Sequence, residues 1–246
     1  MLQLTAWLCL AGLACVAGCH APGTGQNIEG VRFFQQGQPQ AAMSSFQQAL
    51  VENPNNPEAY YNLASAYHHL GKQNSDPAML KQAENLYNRC LDLNPNDVAC
   101  HRALAVLLVD TDRAQSAFTL LERWANRSPQ LADPRIELAR LHEEFGESDA
   151  AQRYLAEAID IDPTNSRAWA AMARLREQSG QYAQALSNYQ QAQYLNASQP
   201  GVTQRIATLQ QQVRTASVSS PPGAPPQGPS PQGTYTVNND QGWTKR

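Results

Sequence analysis

The sequence predicts an all-α chain, a solenoid of about five helical hairpins closed by one further helix. Three observations predict it. Pro95, Pro129 and Pro163 recur at intervals of 34 residues. Between them, small and apolar residues fall three and four apart, which places them on one face of a helix with 3.6 residues per turn. Gly37, Gly71, Gly146 and Gly180 mark the middle of their units, where a left-handed turn between helices favours a residue without Cβ. The unit Ala132–Asn165 shows all three features. Leu138, Ala139 and His142 form a stripe before Gly146, and Ala151, Leu155 and Ala158 form another before Pro163. Ser148 is expected to cap the second helix by accepting from its free N–H groups. Asp162-Pro163 then ends it. One hairpin of this size cannot bury its own apolar face, so neighbouring copies must stack on it.

From the amino terminus, residues 1–18 are expected to be a targeting segment. Leu4–Ala17 is apolar and of secretory length, too short to span a bilayer comfortably. It ends in Val16-Ala17-Gly18-Cys19, which resembles the lipobox of bacterial lipoproteins. The resemblance implies that Cys19 is acylated and that the leader is cut before it. It also implies a membrane anchor, since several acyl chains on one Cys hold far better than one. His20 follows, where an Asp would imply inner-membrane retention, so an outer-membrane position facing the periplasm is expected. A plain secreted protein with a chance Gly-Cys stays open as the alternative. Residues 19–27 read as the lipidated Cys and a Pro/Gly spacer.

The array is expected over residues 28–199. Repeat one is clear from Phe33 on, through Gly37, Ala42, Phe46, Ala49 and Pro54. Repeat two carries Tyr60, Leu63, Ala64, Tyr67, Gly71, Ala83, Tyr87, Cys90 and Pro95. It is 41 residues long, with an insertion at about 72–79 that should project from one end. There Ser75-Asp76-Pro77 supplies a cap and a Pro suited to the first helical position. Repeat three keeps His101, Leu104, Ala105, Leu108, Ala117, Leu121, Trp124 and Pro129, with Asp112 in the turn slot. Repeat five supplies Trp169, Met172, Ala173, Gly180, Ala185, Tyr189 and Ala192, with Arg176 in an aromatic slot. These residues at these offsets resemble the tetratricopeptide repeat. The resemblance implies a right-handed solenoid whose concave groove binds a peptide or protein.

Residues 200–216 are expected to form a capping helix, with Ile206, Leu209 and Val213 on one stripe against the last hairpin. From 217 to 246 the composition shifts. Ser217–Gly233 holds six Pro and three Gly, too few apolar groups to offset chain entropy, so a disordered tail is expected.

Net charge is −3 over 246 residues, only 16% of them charged, and just three are Lys. That composition carries no polybasic patch and argues against nucleic acid as a main partner. No catalytic residue, cofactor or metal site is expected. The glycines follow the repeat rather than a phosphate loop, and Leu141-His142-Glu143-Glu144-Phe145 lacks the second His of a zinc hydrolase helix. His101 and His142 occupy core slots and read as packing residues. With Cys9 and Cys15 lost with the leader and Cys19 lipidated, Cys90 and Cys100 remain, flanking the Pro95 turn. In an oxidising compartment they form a possible disulfide; two buried small residues is the alternative.

Core offsets in each first helix leave the opposite offsets for the groove. In the family these line the concave face. Here they are Tyr61, Asn62, Ser65, His68 and His69 in repeat two, and Arg102, Val106 and Asp110 in repeat three. Repeat four gives Asp133, Glu137, Arg140, Glu143 and Glu144, and repeat five gives Arg167, Arg174 and Glu177. Aromatic and His residues beside alternating Arg and Glu suit an extended peptide. Replacing Tyr61, Arg102 or Arg140 by Ala should leave melting nearly unchanged, and His68 and His69 should make binding respond to pH. The whole is expected to be a non-enzymatic, lipid-anchored scaffold for a cell-envelope complex, similar in architecture to the lipoproteins that assemble type IV pilus secretins. A second class stays open: an accessory subunit of a periplasmic enzyme, or an enzyme with groove chemistry of its own. Oligomeric state is not fixed by the sequence.

Overall fold

The computed structural model describes residues 23–199 and 201–219. The leader, Cys19 with its spacer to residue 22, and the tail from residue 220 lie outside the described residues. Among those described, the chain forms eleven α-helices and no strand. They pair as α1 (Thr24–Gln35) with α2 (Pro39–Glu52), α3 (Pro57–Asn74) with α4 (Pro77–Leu93), and α5 (Val98–Asp110) with α6 (Ala114–Arg127). The last two pairs are α7 (Asp133–Glu144) with α8 (Ser148–Ile161), and α9 (Ser166–Gln178) with α10 (Tyr182–Leu195). The final helix, α11 (Val202–Ser219), packs on α10. Each second helix packs on the next first helix, and the first helices touch in succession from α1 to α9. The five hairpins therefore stack into a tetratricopeptide-type solenoid with the first helices along one face. No described helix is long and apolar enough to cross a membrane.

Close packing depends on the small residues of the repeat. Ala42, Ala64, Ala83, Ala105, Ala117, Ala139, Ala151, Ala173 and Ala185 are all at most 1% exposed. They let helices approach, while Phe46, Tyr87, Leu121 and Leu155 fill the space between them. Gly30 is this slot in repeat one: a Cβ there would lie 2.4 Å from Cε1 of Phe46. The first helix also begins earlier than expected, at Thr24 inside the expected spacer. Gly23 takes φ +80° ahead of it, and its N–H donates to Glu52 Oε2 at 3.0 Å, tying the start of α1 to the end of α2.

Turns hold two corrections. Gly37, Gly146 and Gly180 have φ of 72°, 75° and 74°, and Asp112 fills the equivalent turn at 58°. Gly71 does not turn: it lies inside α3, where a Cβ would meet Leu80 Cδ2 at 2.9 Å. The insertion lengthens both helices of repeat two, to 18 and 17 residues, so the turn moves to Ser75 at φ 52°. Asp76 then caps α4, accepting from the N–H groups of Ala78 and Met79. Ser148, expected as a cap, is instead the first residue of α8 and makes no capping bond; Glu147 stands at the cap position. The closing helix also runs to Ser219, past the expected boundary at 217. Its apolar stripe is buried as expected at Ile206 and Leu209, with Val202 added.

Cys90, in the last turns of α4, and Cys100, in the first turn of α5, are joined by a disulfide with Cα atoms 6.5 Å apart. Both are fully buried. Asp97 lies beside them, but its Oδ1 accepts from the Cys100 N–H as the cap of α5, and the sulfurs are bonded to each other. The bond staples repeat two to repeat three. Cross-linking residues separated by 10 in sequence removes about 2–3 kcal/mol of unfolded-chain entropy. A Cys100→Ser variant should therefore lose stability of that order in urea melts. The wild type should resist thiol labelling until a reductant is added; full labelling of the native, unreduced chain contradicts the bond.

Candidate binding groove

The face built by the first helices carries two clefts in line. The first, about 330 Å³, lies between α3 and α5 and is lined by Tyr61, Ser65, His68, His69, Lys72, Tyr87, Val106 and Asp110, with Arg102 at its edge. The second, about 500 Å³, runs from α5 across α7 and α9 to α11. Arg102 lines both, so the two clefts adjoin along the first-helix face.

In the first cleft the polar groups are already committed to one another. Ser65 Oγ and the Tyr87 hydroxyl are 3.2 Å apart, and the Tyr87 ring lies 6.1 Å from that of Tyr61. Burial pushes the Tyr87 hydroxyl pKa well up. His68 lines the cleft as expected, but most of its side chain is covered. Its Nε2 lies 3.0 Å from Asp110 Oδ2, and Lys72 takes the same carboxylate at 2.7 Å. Burial lowers its pKa below the usual 6.5 in spite of Asp110, so it is neutral near pH 7 and a poor sensor of partner binding. His69 remains exposed, edge-on to Phe34 with ring centres 5.7 Å apart. Asn62 is turned to the scaffold, donating to Asn27 Oδ1 at 3.0 Å. Tyr61, Val106 and the exposed His69 are thus surfaces this cleft leaves for a ligand.

The second cleft is organised by Glu137. Its spacing along α7 puts it on the groove face, and it is there, but its side chain is only 1% exposed. Arginines from the flanking first helices close over it. Arg102 of α5 donates through Nε to Oε2 at 2.9 Å and through Nη2 to Oε1. Arg167 of α9 donates through Nη2 to Oε1 at 2.9 Å, and Arg140 of α7 through Nε to Oε2 at 3.2 Å. Outer carboxylates hold the other ends: Asp133 takes Arg167 at 2.7 Å and Glu144 takes Arg140 at 2.6 Å. Burial alone would raise the Glu137 pKa. The Arg102 hydrogen bonds and the charges of Arg102, Arg140 and Arg167 outweigh it, and the net shift is downward. Glu137 is therefore an ionised structural group, not a partner-binding one. Arg102 and Arg140, expected to be dispensable for folding, are its counter-charges.

Farther along, Arg174 pairs with Glu143 at 2.7 Å and Arg205 of α11 with Glu177 at 3.2 Å, while the Tyr189 hydroxyl donates to Glu177 at 3.1 Å. Arg205, Gly201 and Val202 line the cleft and are not found by the sequence reading, because α11 reads there only as a cap. One signal points to them: Arg205 directly precedes Ile206 of the buried stripe, which sets it at the edge of the packed face. The other two described histidines, His101 and His142, are packing residues. His101 stacks on Trp124 with centroids 4.0 Å apart, and burial takes its pKa down to about 4. His142 lies between Phe118 at 4.8 Å and Tyr154 at 5.1 Å.

A Glu137→Gln variant should lose on the order of 3 kcal/mol at neutral pH, because three guanidiniums lose their shared buried charge. The sign with pH follows from the lowered pKa. The stabilisation is fully present above the ordinary carboxylate value of 4.5 and is lost as pH falls through the lower folded value. The stability gap between wild type and variant should therefore narrow in urea melts from about pH 7 to about pH 3. A gap that stays constant over that range contradicts the assignment.

Comparison with known proteins agrees with this architecture. A model described as TPR repeat matches residues 30–71, and two described as tetratricopeptide repeat match residues 113–175 and 166–199. No curated protein matches the chain. Among solved structures, TTC0263, a thermophilic TPR protein in Thermus thermophilus, is 23% identical over 77% of this chain and 99% of its own, with a TM-score of 0.56. Pseudomonas aeruginosa pilF is 15% identical over 80% of this chain and 93% of its own, with a TM-score of 0.48. YrrB, a TPR protein with an unusual peptide-binding site, is 16% identical over 78% and 92%, with a TM-score of 0.40. At these identities the likeness concerns the fold alone. The repeat matches, the hairpin stacking and the small-residue slots agree, and the chain belongs to the tetratricopeptide-repeat family.

Proposed function

We propose that this protein is a non-enzymatic scaffold that holds a peptide or protein segment along its first-helix groove while a lipid on Cys19 keeps it at a membrane. The observation that carries the reading is that the two clefts lie in line along the first helices and meet at Arg102. Clefts that adjoin in this way suit an extended chain better than a compact metabolite. Tyr61 offers contact area with a polar handle, and the arginines offer forked donors. The polar groups of the first cleft argue against catalysis there. Ser65 is paired with Tyr87 and His68 with Asp110, so no base is bonded to the hydroxyl.

The anchor rests on Val16-Ala17-Gly18-Cys19, and the buried disulfide is in keeping with an oxidising compartment. On this reading the protein sits at the outer membrane, faces the periplasm and serves assembly of an envelope complex, in the manner of secretin-assembly lipoproteins.

Two variants test the two halves of the proposal. Cys19→Ser should leave the repeats folded and move the protein from the membrane to the soluble fraction; membrane retention through a high-salt wash would place the anchor elsewhere. Tyr61→Ala should weaken a partner recovered from membrane extract by roughly 5- to 150-fold, the range for one interface anchor, while still melting cooperatively, at a lower temperature because Tyr61 also packs on the buried cluster. Gln152→Ala on α8 is the control. If the control weakens binding and Tyr61→Ala does not, the partner reads the other face.

A further inference from the structure

The two halves of the groove differ in chemistry, and the second half points to the kind of partner. Five arginines line it, Arg102, Arg140, Arg167, Arg174 and Arg205, against two carboxylates, Glu137 and Glu143. Glu137 is sealed beneath the guanidiniums, so what faces an incoming ligand is mostly cationic. The outer partners Asp133, Glu144 and Glu177 do not line the cleft. Five bonded carboxylates match the five arginines in formal charge, so the bias is one of exposure: the arginine side chains are 25–58% exposed, against 1% for Glu137 and 19% for Glu143.

We propose that the second half of the groove takes an acidic peptide segment, and that α11 is a wall of the site rather than only a cap. The proposal rests on the groove reading above and names its ligand chemistry. Arg174 of α9 and Arg205 of α11 form the end of the site. Their side chains are 50% and 58% exposed, and each gives a single N–H to its intramolecular carboxylate, Nη2 to Glu143 and Nη1 to Glu177. A guanidinium has five N–H donors in a rigid fork, so both present donors outward to a carboxylate, which they can grip through two parallel bonds. The floor between the arginines is apolar, with Ile136, Leu155 and Val202. That combination fits the aliphatic stems and charged ends of Asp and Glu residues along an extended backbone. Arg102 continues into the first cleft, where Tyr61 and Val106 await an apolar or aromatic residue of the same peptide.

The test is selection of a random twelve-residue peptide display library on the full chain, followed by anisotropy titration of the enriched peptides in fluorescein-labelled form. Enriched sequences should be rich in Asp and Glu. Their affinity should fall with added salt, and at least ten-fold in an Arg174→Gln/Arg205→Gln double variant. Both arginines are half exposed, and Gln can still donate to the 19%- and 18%-exposed carboxylates of Glu143 and Glu177, so the double variant should keep a cooperative melt. If enriched peptides are neutral or basic but lose affinity with Tyr61→Ala, the groove binds peptides and the acidic assignment is overturned. Acidic peptides that bind the double variant unchanged overturn the role of α11. A fluorescein-labelled single-stranded DNA 20-mer bound as tightly as the best peptide would show general polyanion binding and also overturn it. No enrichment that any groove variant reduces would overturn the groove reading itself.

Discussion

A carboxylate buried among arginines from three successive first helices sets the shape of the groove. Glu137 of α7 is reached from α5 by Arg102, from α9 by Arg167 and from its own helix by Arg140. Removing an ionised carboxylate from water is costly, and only well-placed counter-charges offset it. Neighbouring repeats can therefore not slide past one another without exposing an unmatched charge in the groove floor. The same contacts hold the guanidiniums in fixed directions, so the groove meets a ligand with little side-chain entropy left to lose. Stability and binding surface are set by one network.

The rest of the array is assembled by nearest-neighbour packing, as in repeat proteins generally. Fully buried alanines set how closely the helices approach, and Phe46, Tyr87, Leu121 and Leu155 fill what remains. Repeat two departs from the common length, and the chain adds a covalent tie beside it. The Cys90–Cys100 disulfide joins the end of α4 to the start of α5. Repeat two is thus tied to repeat three by a covalent bond, and α5, α7 and α9 to one another through Glu137.

Much of this is legible in the sequence, because a repeat states its rules several times. The proline interval, the small-residue slots and the turn glycines at Gly37, Gly146 and Gly180 are enough to place the hairpins. The misreadings share one cause: helical periodicity describes a residue relative to its own axis and says nothing of what the next helix brings. Glu137 does sit on the groove face, but arginines from two other helices cover it. His68 faces the same way and is bonded to Asp110 one repeat on. Gly71 has the right residue type for a turn, yet the insertion lets α3 run on, and its missing Cβ makes room for Leu80. Arg205 is hidden from a sequence reading because the apolar stripe marks α11 as a cap, while the binding residue lies at that stripe's edge.

The central claim is that Glu137 couples helices on both sides of it. A double-mutant cycle on folding stability with Arg102→Met and Arg167→Met tests this most directly. These arginines sit on α5 and α9, two first helices apart, and Glu137 is the carboxylate to which both donate. With either one left, the carboxylate keeps a cross-helix counter-charge; with both gone it depends on Arg140. The account predicts that the double variant loses at least about 1 kcal/mol more than the sum of the single variants. Additivity within about 0.5 kcal/mol, the behaviour of independent sites, would contradict it.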